Sequence, residues 1–235
     1  MGTVWVWGTV AASSLLIGAV LGVTRRWSDA VVGSVLGFGA GALMASISFE
    51  LFQGGLEIGG AIALAFGLTC GAGVFFVSDR WVKRIGGRSR PGAAGLPLAL
   101  GAFLDGIPEQ TVLGVGIADD GVGSIALLVA IFVSNLPEAM GSATEMKASG
   151  SPTRRILLLW ASVTALCVLA TAGGYLLAHV TGGAFVGAVD GFAAGALLVM
   201  LVGAMIPEAQ AKIHDRAGLA AVLGFAVAAG LAAFS

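Results

Sequence analysis

Charged side chains are scarce in this 235-residue chain, making up 11% of it against about 25% in an average soluble domain. The few that occur are nearly balanced, with 12 Lys and Arg against 13 Asp and Glu. This balance argues against an electropositive surface that binds nucleic acid. No basic segment precedes the first apolar stretch and no clear processing site follows it, so no cleavable signal peptide is evident.

Cysteine is also rare, because the chain contains only Cys70 and Cys167. Both lie inside apolar stretches, where a cysteine behaves as a small core residue. Neither a disulfide framework nor a CxxC metal site is therefore supported.

What the chain has in excess is apolar sequence: it is 57% hydrophobic, with a mean hydropathy of +0.98. At about 20 residues per spanning helix, its length allows about eight helices and no soluble domain. The apolar stretches lie at about 3–24, 30–53, 57–79, 96–118, 123–145, 154–179, 184–207 and 216–235. Their length and the lack of ten-residue alternating segments indicate helices rather than a β-barrel. The prediction is one all-α membrane domain over residues 1–235.

Within that domain the predicted parts are helices 1–3 at about 3–80, a basic cytoplasmic loop at 81–95, helices 4 and 5 at about 96–147, and helices 6–8 at about 154–235. The basic residues fall in or beside alternate loops, after helices 1, 3, 5 and 7. They include Arg25, Arg26, Arg80, Lys83, Arg84, Arg88, Arg90, Lys147, Arg154, Arg155, Lys212 and Arg216. The intervening loops hold acidic residues and no Lys or Arg. The positive-inside rule therefore places both termini outside a cell (inner) membrane.

Two glycine-rich strings resemble each other, GFGAGAL at 37–43 and GFAAGAL at 191–197. They lie in helix 2, which would run outward, and helix 7, which would run inward. A unit of helices 1–3 is therefore predicted to be repeated, inverted, as helices 6–8, as in many secondary transporters. The alternative is that Gly- and Ala-rich membrane helices are alike in composition alone.

Helices 4 and 5, the central pair of this 3+2+3 arrangement, carry most of the polar residues in the helix centres. Asp105 and Glu109 are spaced i, i+4 and share a helix face, while Asn135 and Glu138 are spaced i, i+3. All four are expected within about 6 Å of the bilayer centre, counting 1.5 Å per residue. An ionised group there costs at least about 2.5 to 3.5 kcal/mol. Since no Lys or Arg lies in a helix centre, protons or a passing cation must neutralise the three carboxylates.

A proline precedes the glutamate in both motifs, at Pro108 and Pro137. Each proline lacks the N–H that would bond four residues back, which releases the carbonyls of Leu104 and Val133. Carbonyl oxygens beside carboxylates are ligands for a cation, and broken helix at this depth is typical of a midplane ion site. The structural alternative is a protonated glutamate that packs in the core.

The strings LDGIPE at 104–109 and SNLPE at 134–138 resemble the paired signatures of the ZIP (Zrt/Irt-like) metal-ion transporters. Those signatures have the form HNxPEG on helix 4 and a second xPEG pattern on helix 5. The family also has eight helices, outside termini and a three-two-three inverted arrangement. The resemblance implies uptake of divalent metal ions (zinc, manganese or iron) toward the cytoplasm.

The family's ligand positions fall on Asp105, Gly106 and Glu109 in helix 4, and on Ser134, Asn135 and Glu138 in helix 5. Asp replaces the usual His, Gly replaces the usual Asn, and Gln110 stands where Gly is expected. Helix 6 carries no Glu for a bridging metal, which disfavours a two-metal centre. The implied metal site is Asp105, Glu109, Glu138 and Asn135. These oxygen ligands favour Mn²⁺, Fe²⁺ or Mg²⁺, although carboxylates also bind Zn²⁺.

Four further residues are candidates for the ion pathway: Glu50, Ser134, Asp190 and Glu208. At helix ends, the alternative for such residues is a solvated or capping role. The metal is expected as transported substrate rather than as a cofactor. The expected partner is the lipid bilayer, and a second copy in a homodimer is a further candidate.

Two alternatives to metal transport remain open. An intramembrane enzyme is disfavoured, because no second Asp faces Asp105 and because Ser134, Ser162 and Thr164 lack a mid-membrane His as base. A ZIP-like protein whose altered site no longer transports metal is the other alternative, motivated by Asp105 and Gly106.

Overall fold

The computed structural model describes residues 2–86, 95–120 and 124–233, without the side chains of 85–86, 95–103, 105 and 120. The regular elements in this part of the chain are all helical. They are α1 (Gly2–Thr24), α2 (Asp29–Ser46), α3 (Gln53–Gly86), α4 (Gly95–Asp120), α5 (Ile125–Ala148), α6 (Thr153–Val180), α7 (Gly183–Met200), α8 (Ile206–Ile213) and α9 (Arg216–Ala232). The first π segment, Ile47–Phe52, joins α2 to α3, and the second π segment, Leu201–Met205, joins α7 to α8. The all-α prediction is confirmed for these residues.

Five helical segments among the described residues are long and apolar enough to cross a membrane. They are Gly2–Thr24, Asp29–Arg84, Ile125–Ala148, Thr153–Val180 and Gly183–Ile213, and α9 is a shorter apolar helix. Large apolar side chains lie on the outside of the fold, as at Ile62 and Leu219, which are 89% and 74% exposed. A surface of this kind suits lipid better than water.

The segment Asp29–Arg84 has 56 residues, more than twice the number that spans a bilayer. It is interrupted at Gly60, whose φ of 79° and ψ of 163° are not helical. Glycine tolerates this conformation because it has no Cβ. The sequence predicts two helices separated near residues 54–56, whereas the observed break lies at Gly60.

α3 continues to Gly86, six residues into the loop predicted at 81–95, and residues 87–94 lie outside the described part. Lys83 is therefore helical, and its ammonium lies 2.7 Å from the carboxylate of Asp79 one turn earlier. The seventh predicted helix, expected to end at 207, also extends further, because α8 continues to Ile213.

The packing follows a two-fold pattern. The most extensive helix contacts are α3 with α7, α2 with α9, α1 with α5, and α4 with α6. Exchanging α1 with α6, α2 with α7, α3 with α9 and α4 with α5 turns this set of contacts into itself. This is the pairing that a repeat of the first and last helix units requires.

The two glycine-rich strings make equivalent contacts in this pattern. A Cβ on Gly41 would overlap the carbonyl oxygen of Ala221 in α9, and a Cβ on Gly195 would overlap that of Leu68 in α3. Both strings therefore hold two helix backbones in direct contact, a use of small residues that is common between membrane helices. Shared contacts at matching positions favour a structural repeat over similar composition alone.

The two π segments also occupy matching positions. The first begins at Ile47 after the string that starts at Gly37, and the second begins at Leu201 after the string that starts at Gly191. The offset from the first glycine is the same in both. Because π segments occur often at functional sites, the interruption of α2 and α7 at the same register points to a shared role.

Candidate cation site between α4 and α5

The two polar motifs of the central helices meet through a direct hydrogen bond. Asn135 on α5 donates from Nδ2 to Oε2 of Glu109 on α4, at 2.9 Å. Both residues are fully buried, at 1% and 0% exposure. A carboxylate taken out of water in this way needs partners to offset its lost hydration, and the Asn135 amide is one of them.

Both prolines lie inside continuous helices, Pro108 in α4 and Pro137 in α5. Since proline has no N–H, the carbonyls of Leu104 and Val133 lose the helical bond that they would otherwise accept. Each motif thus has an acceptor carbonyl about one turn before its proline and five residues before its glutamate. The backbone and side chains together supply an oxygen-rich region.

Two further predicted ligands lie on the same helices. Glu138 is half-buried on α5, three residues after Asn135, and this spacing puts the two on one helix face. Asp105 lies on α4 one turn before Glu109, but its side chain is outside the described residues. Among the side chains that are described, no three His, Cys, Asp or Glu residues form a group able to hold a metal ion. The Asp105 carboxylate is not among these side chains.

Ser134, predicted as a pathway residue, is buried at 1% exposure. Its hydroxyl donates to the carbonyl of Ile131 in its own helix, at 3.1 Å. Gly39 of α2 packs on it so closely that an added Cβ would lie 2.9 Å from the Ser134 Cα. The Ser134 oxygen can still accept a hydrogen bond through its lone pairs, but its one proton is donated to the Ile131 carbonyl.

Cys167 is a site neighbour that sequence reasoning missed. It lies on α6, is 0% exposed, and its Sγ is 2.7 Å from the position that a Cβ on Gly106 would take. The absence of a side chain at position 106, read in the sequence as a lost ligand, makes room for this sulfur. An apolar stretch around Cys167 gives no local indication of that contact.

Gln110, which stands where the resemblance leads one to expect glycine, faces α6. It is 0% exposed, and its Oε1 accepts a 2.6 Å hydrogen bond from the Thr171 hydroxyl. Its Nε2 has no hydrogen-bond partner among the described residues. Gln110 therefore links α4 to α6 beside the candidate site, while Glu109 links α4 to α5.

Glu50 lies in the first π segment and is half-buried. It lines an open cavity of about 490 Å³ together with Gln53 and Glu57. Gln53 donates to Glu57 at 3.4 Å. Ser124, at the start of α5, also lines this cavity. The cavity presents carboxylate and amide groups next to the helix that carries Asn135 and Glu138.

The last two predicted pathway residues differ in burial. Asp190 on α7 is 6% exposed and packs near Gly55, where an added Cβ would lie 3.0 Å from the Asp190 Cβ. Glu208 on α8 is half exposed and lies 3.8 Å from the ammonium of Lys212, which also approaches Asp29 at 3.4 Å. Glu208 thus belongs to a surface ion-pair group, which contributes little to stability.

No protein-family model matches the chain, and no curated protein matches it. The contacts of α4, α5 and α6 and the motifs that these helices carry are therefore the features that bear on function.

Proposed function

We propose that this protein transports divalent metal cations across a membrane toward the cytoplasm, in the manner of the ZIP family that its motifs resemble. The observation that carries the proposal is the buried hydrogen bond between Glu109 and Asn135, which joins the two proline-containing helices. An ionisable group buried between membrane helices is expensive and usually marks an ion or proton pathway.

The proposed cation lies between α4 and α5, with Asp105, Glu109, Glu138 and Asn135 as ligands. Carboxylate, amide and carbonyl oxygens are hard donors, and such sets suit Mn²⁺ and Fe²⁺ while still accepting Zn²⁺. A divalent charge would offset carboxylates that no Lys or Arg in the centre of α4 or α5 neutralises. In transport, this offset lasts only while the cation occupies the site.

The proposed topology has eight membrane crossings with both termini outside, in a 3+2+3 inverted repeat. Two observations support it: the exchange symmetry of the helix contacts and the restriction of Lys and Arg to alternate connections. The interruption at Gly60 supplies the separation between the second and third crossings that this count needs.

Uptake into vesicles tests the proposal. The purified chain is reconstituted, and entry of Mn²⁺, Fe²⁺ and Zn²⁺ is followed with a metal-sensitive dye inside. Glu109→Gln keeps the side-chain volume and removes the charge, so we expect at least a tenfold loss of uptake, and the same for Glu138→Gln. Glu145→Gln on the exposed end of α5 is the matched control. Wild-type rates in Glu109→Gln would contradict the site.

The same measurement separates metal transport from the two alternatives. A ZIP-like protein that no longer transports metal would show no dye response in the wild type, although Glu109 and Asn135 would still stabilise the fold. An intramembrane enzyme would also give no metal-dependent signal. Metal entry that Glu109→Gln removes is expected only of the transporter.

A further inference from the structure

The ends of α1 and α5 enclose an open cavity of about 370 Å³ away from the candidate cation site. Its lining includes three basic side chains, Arg25, Arg26 and Lys147, and the hydroxyl-bearing Thr144. Among the described residues, no acidic side chain lines it. An anion is the ligand that such a lining selects.

The three positive charges are not neutralised inside the described part of the protein. The ion pairs found there belong to Lys83 and Lys212. Arg25 lies over the ring of Trp27, 5.3 Å from its centroid, and Lys147 donates to the carbonyl of Val23. These contacts hold the side chains in place and leave their charge available.

The helix ends themselves oppose an anion, because a helix C-terminus carries a partial negative charge of about −0.5. Two such ends, of α1 and α5, meet at this cavity. Three full positive charges outweigh two half charges, and the Lys147 ammonium lies directly on a terminal carbonyl of α1. The cavity therefore remains electropositive.

An apolar surface leads into the cavity. Ile17 and Val20 on α1 are 42% and 40% exposed, and Thr24, which lines the cavity, lies one turn beyond Val20. The spacing i, i+3, i+7 puts the three on one helix face. This apolar strip distinguishes the cavity from a site for a free ion, because it offers contact for a hydrocarbon chain.

We propose that this cavity binds the phosphate of an anionic phospholipid, with an acyl chain along Ile17 and Val20 of α1. Guanidinium groups match phosphate oxygens in geometry and charge. The proposal relies on the proposed function only for the membrane topology, which puts these basic residues at the cytoplasmic interface, where anionic lipids attract Lys and Arg.

The test measures lipid retained by the purified full chain in detergent, by native mass spectrometry during titration with phosphatidylglycerol or phosphatidylcholine. The paired variant Arg25→Gln, Arg26→Gln should weaken phosphatidylglycerol binding about tenfold or more, since each basic residue near an anionic surface contributes appreciably. The control Arg154→Gln, Arg155→Gln removes the same charge from exposed positions at the start of α6, outside the cavity lining. It should change binding less than twofold.

Equal losses in both paired variants, or no loss in the first, would overturn the proposal. If inorganic phosphate displaces phosphatidylglycerol at equal concentration, the ligand is a soluble phosphate and the lipid assignment is wrong. If the paired variant misfolds, Arg26→Gln alone is used, because Arg26 makes no hydrogen bond or ion pair to other described residues. This single variant should still weaken phosphatidylglycerol binding. No metal is present in this assay, so its failure is distinct from a failure of metal uptake.

Discussion

Replacing the Asn135 amide by a carboxylate should make the stability of the fold depend on metal. In the wild type, Asn135 Nδ2 donates to Glu109 Oε2 at 2.9 Å, with both residues buried. Asn135→Asp removes that donor and brings a second acidic group to the same distance. A hydrogen bond to a charged group contributes about 1.5 to 3 kcal/mol. The loss of unfolding free energy without metal should be at least that large.

A bound divalent cation reverses the effect if the two side chains are ligands. Ligand that binds only the folded state at 100 times its dissociation constant adds about 2.7 kcal/mol. Unfolding of the purified protein in detergent is followed with excess chelator and then with Mn²⁺. We expect Asn135→Asp to be less stable than wild type in chelator and to regain most of the difference in Mn²⁺.

Gln110→Glu is the matched control, since it also changes a buried amide to a carboxylate but at the contact with Thr171 in α6. It should be destabilised and gain much less from Mn²⁺. If Asn135→Asp and Gln110→Glu respond alike, or if neither responds to metal, Asn135 does not lie beside a cation and the reasoning is refuted.

Two further predictions concern packing and topology. Gly106→Ala places a methyl group 2.7 Å from the Cys167 sulfur and should destabilise the fold by about 1 to 3 kcal/mol through overpacking. The double variant with Cys167→Ala should lose less than the sum of the single changes in thermal unfolding, and additive losses would contradict the contact. In a background with Ala at both native cysteines, single cysteines at Thr3 and Ser149 should react with an impermeant reagent from opposite sides of the membrane. Labelling from the same side would contradict the proposed topology.

The features that sequence predicts best here are local ones. The spacing of Asp105 and Glu109, and of Asn135 and Glu138, assigns each pair to one helix face without knowledge of the fold. A common depth in the membrane is predicted for them from helix rise alone. That Asn135 contacts Glu109 in particular depends on how α4 is rotated against α5, and this rotation is set by packing of many residues.

The features that sequence could not provide depend on long-range contacts or on small changes in helix geometry. Composition does not indicate the π segments, because a π turn differs from an α turn by about one residue and needs no particular residue type. The helix breaks at Gly60, but glycines also lie at 54, 55 and 59. Only the backbone shows which of the four adopts positive φ. Cys167 lies in an apolar stretch, and its contact with Gly106 arises from the packing of α6 on α4.

The helix contacts follow a two-fold pattern, but the two central helices α4 and α5 carry different polar residues. Exchange of α4 and α5 matches Glu109 with Glu138, and it matches Gly106 with Asn135, since each stands three residues before its glutamate. The helix contacts exchange almost symmetrically, but at this position the amide lies only on α5. Glu109 is fully buried and hydrogen-bonded to Asn135, whereas Glu138 is half-buried. In the proposed transporter the two glutamates therefore hold the cation unequally, because Glu109 also accepts the hydrogen bond of Asn135 and Glu138 is the more exposed of the two.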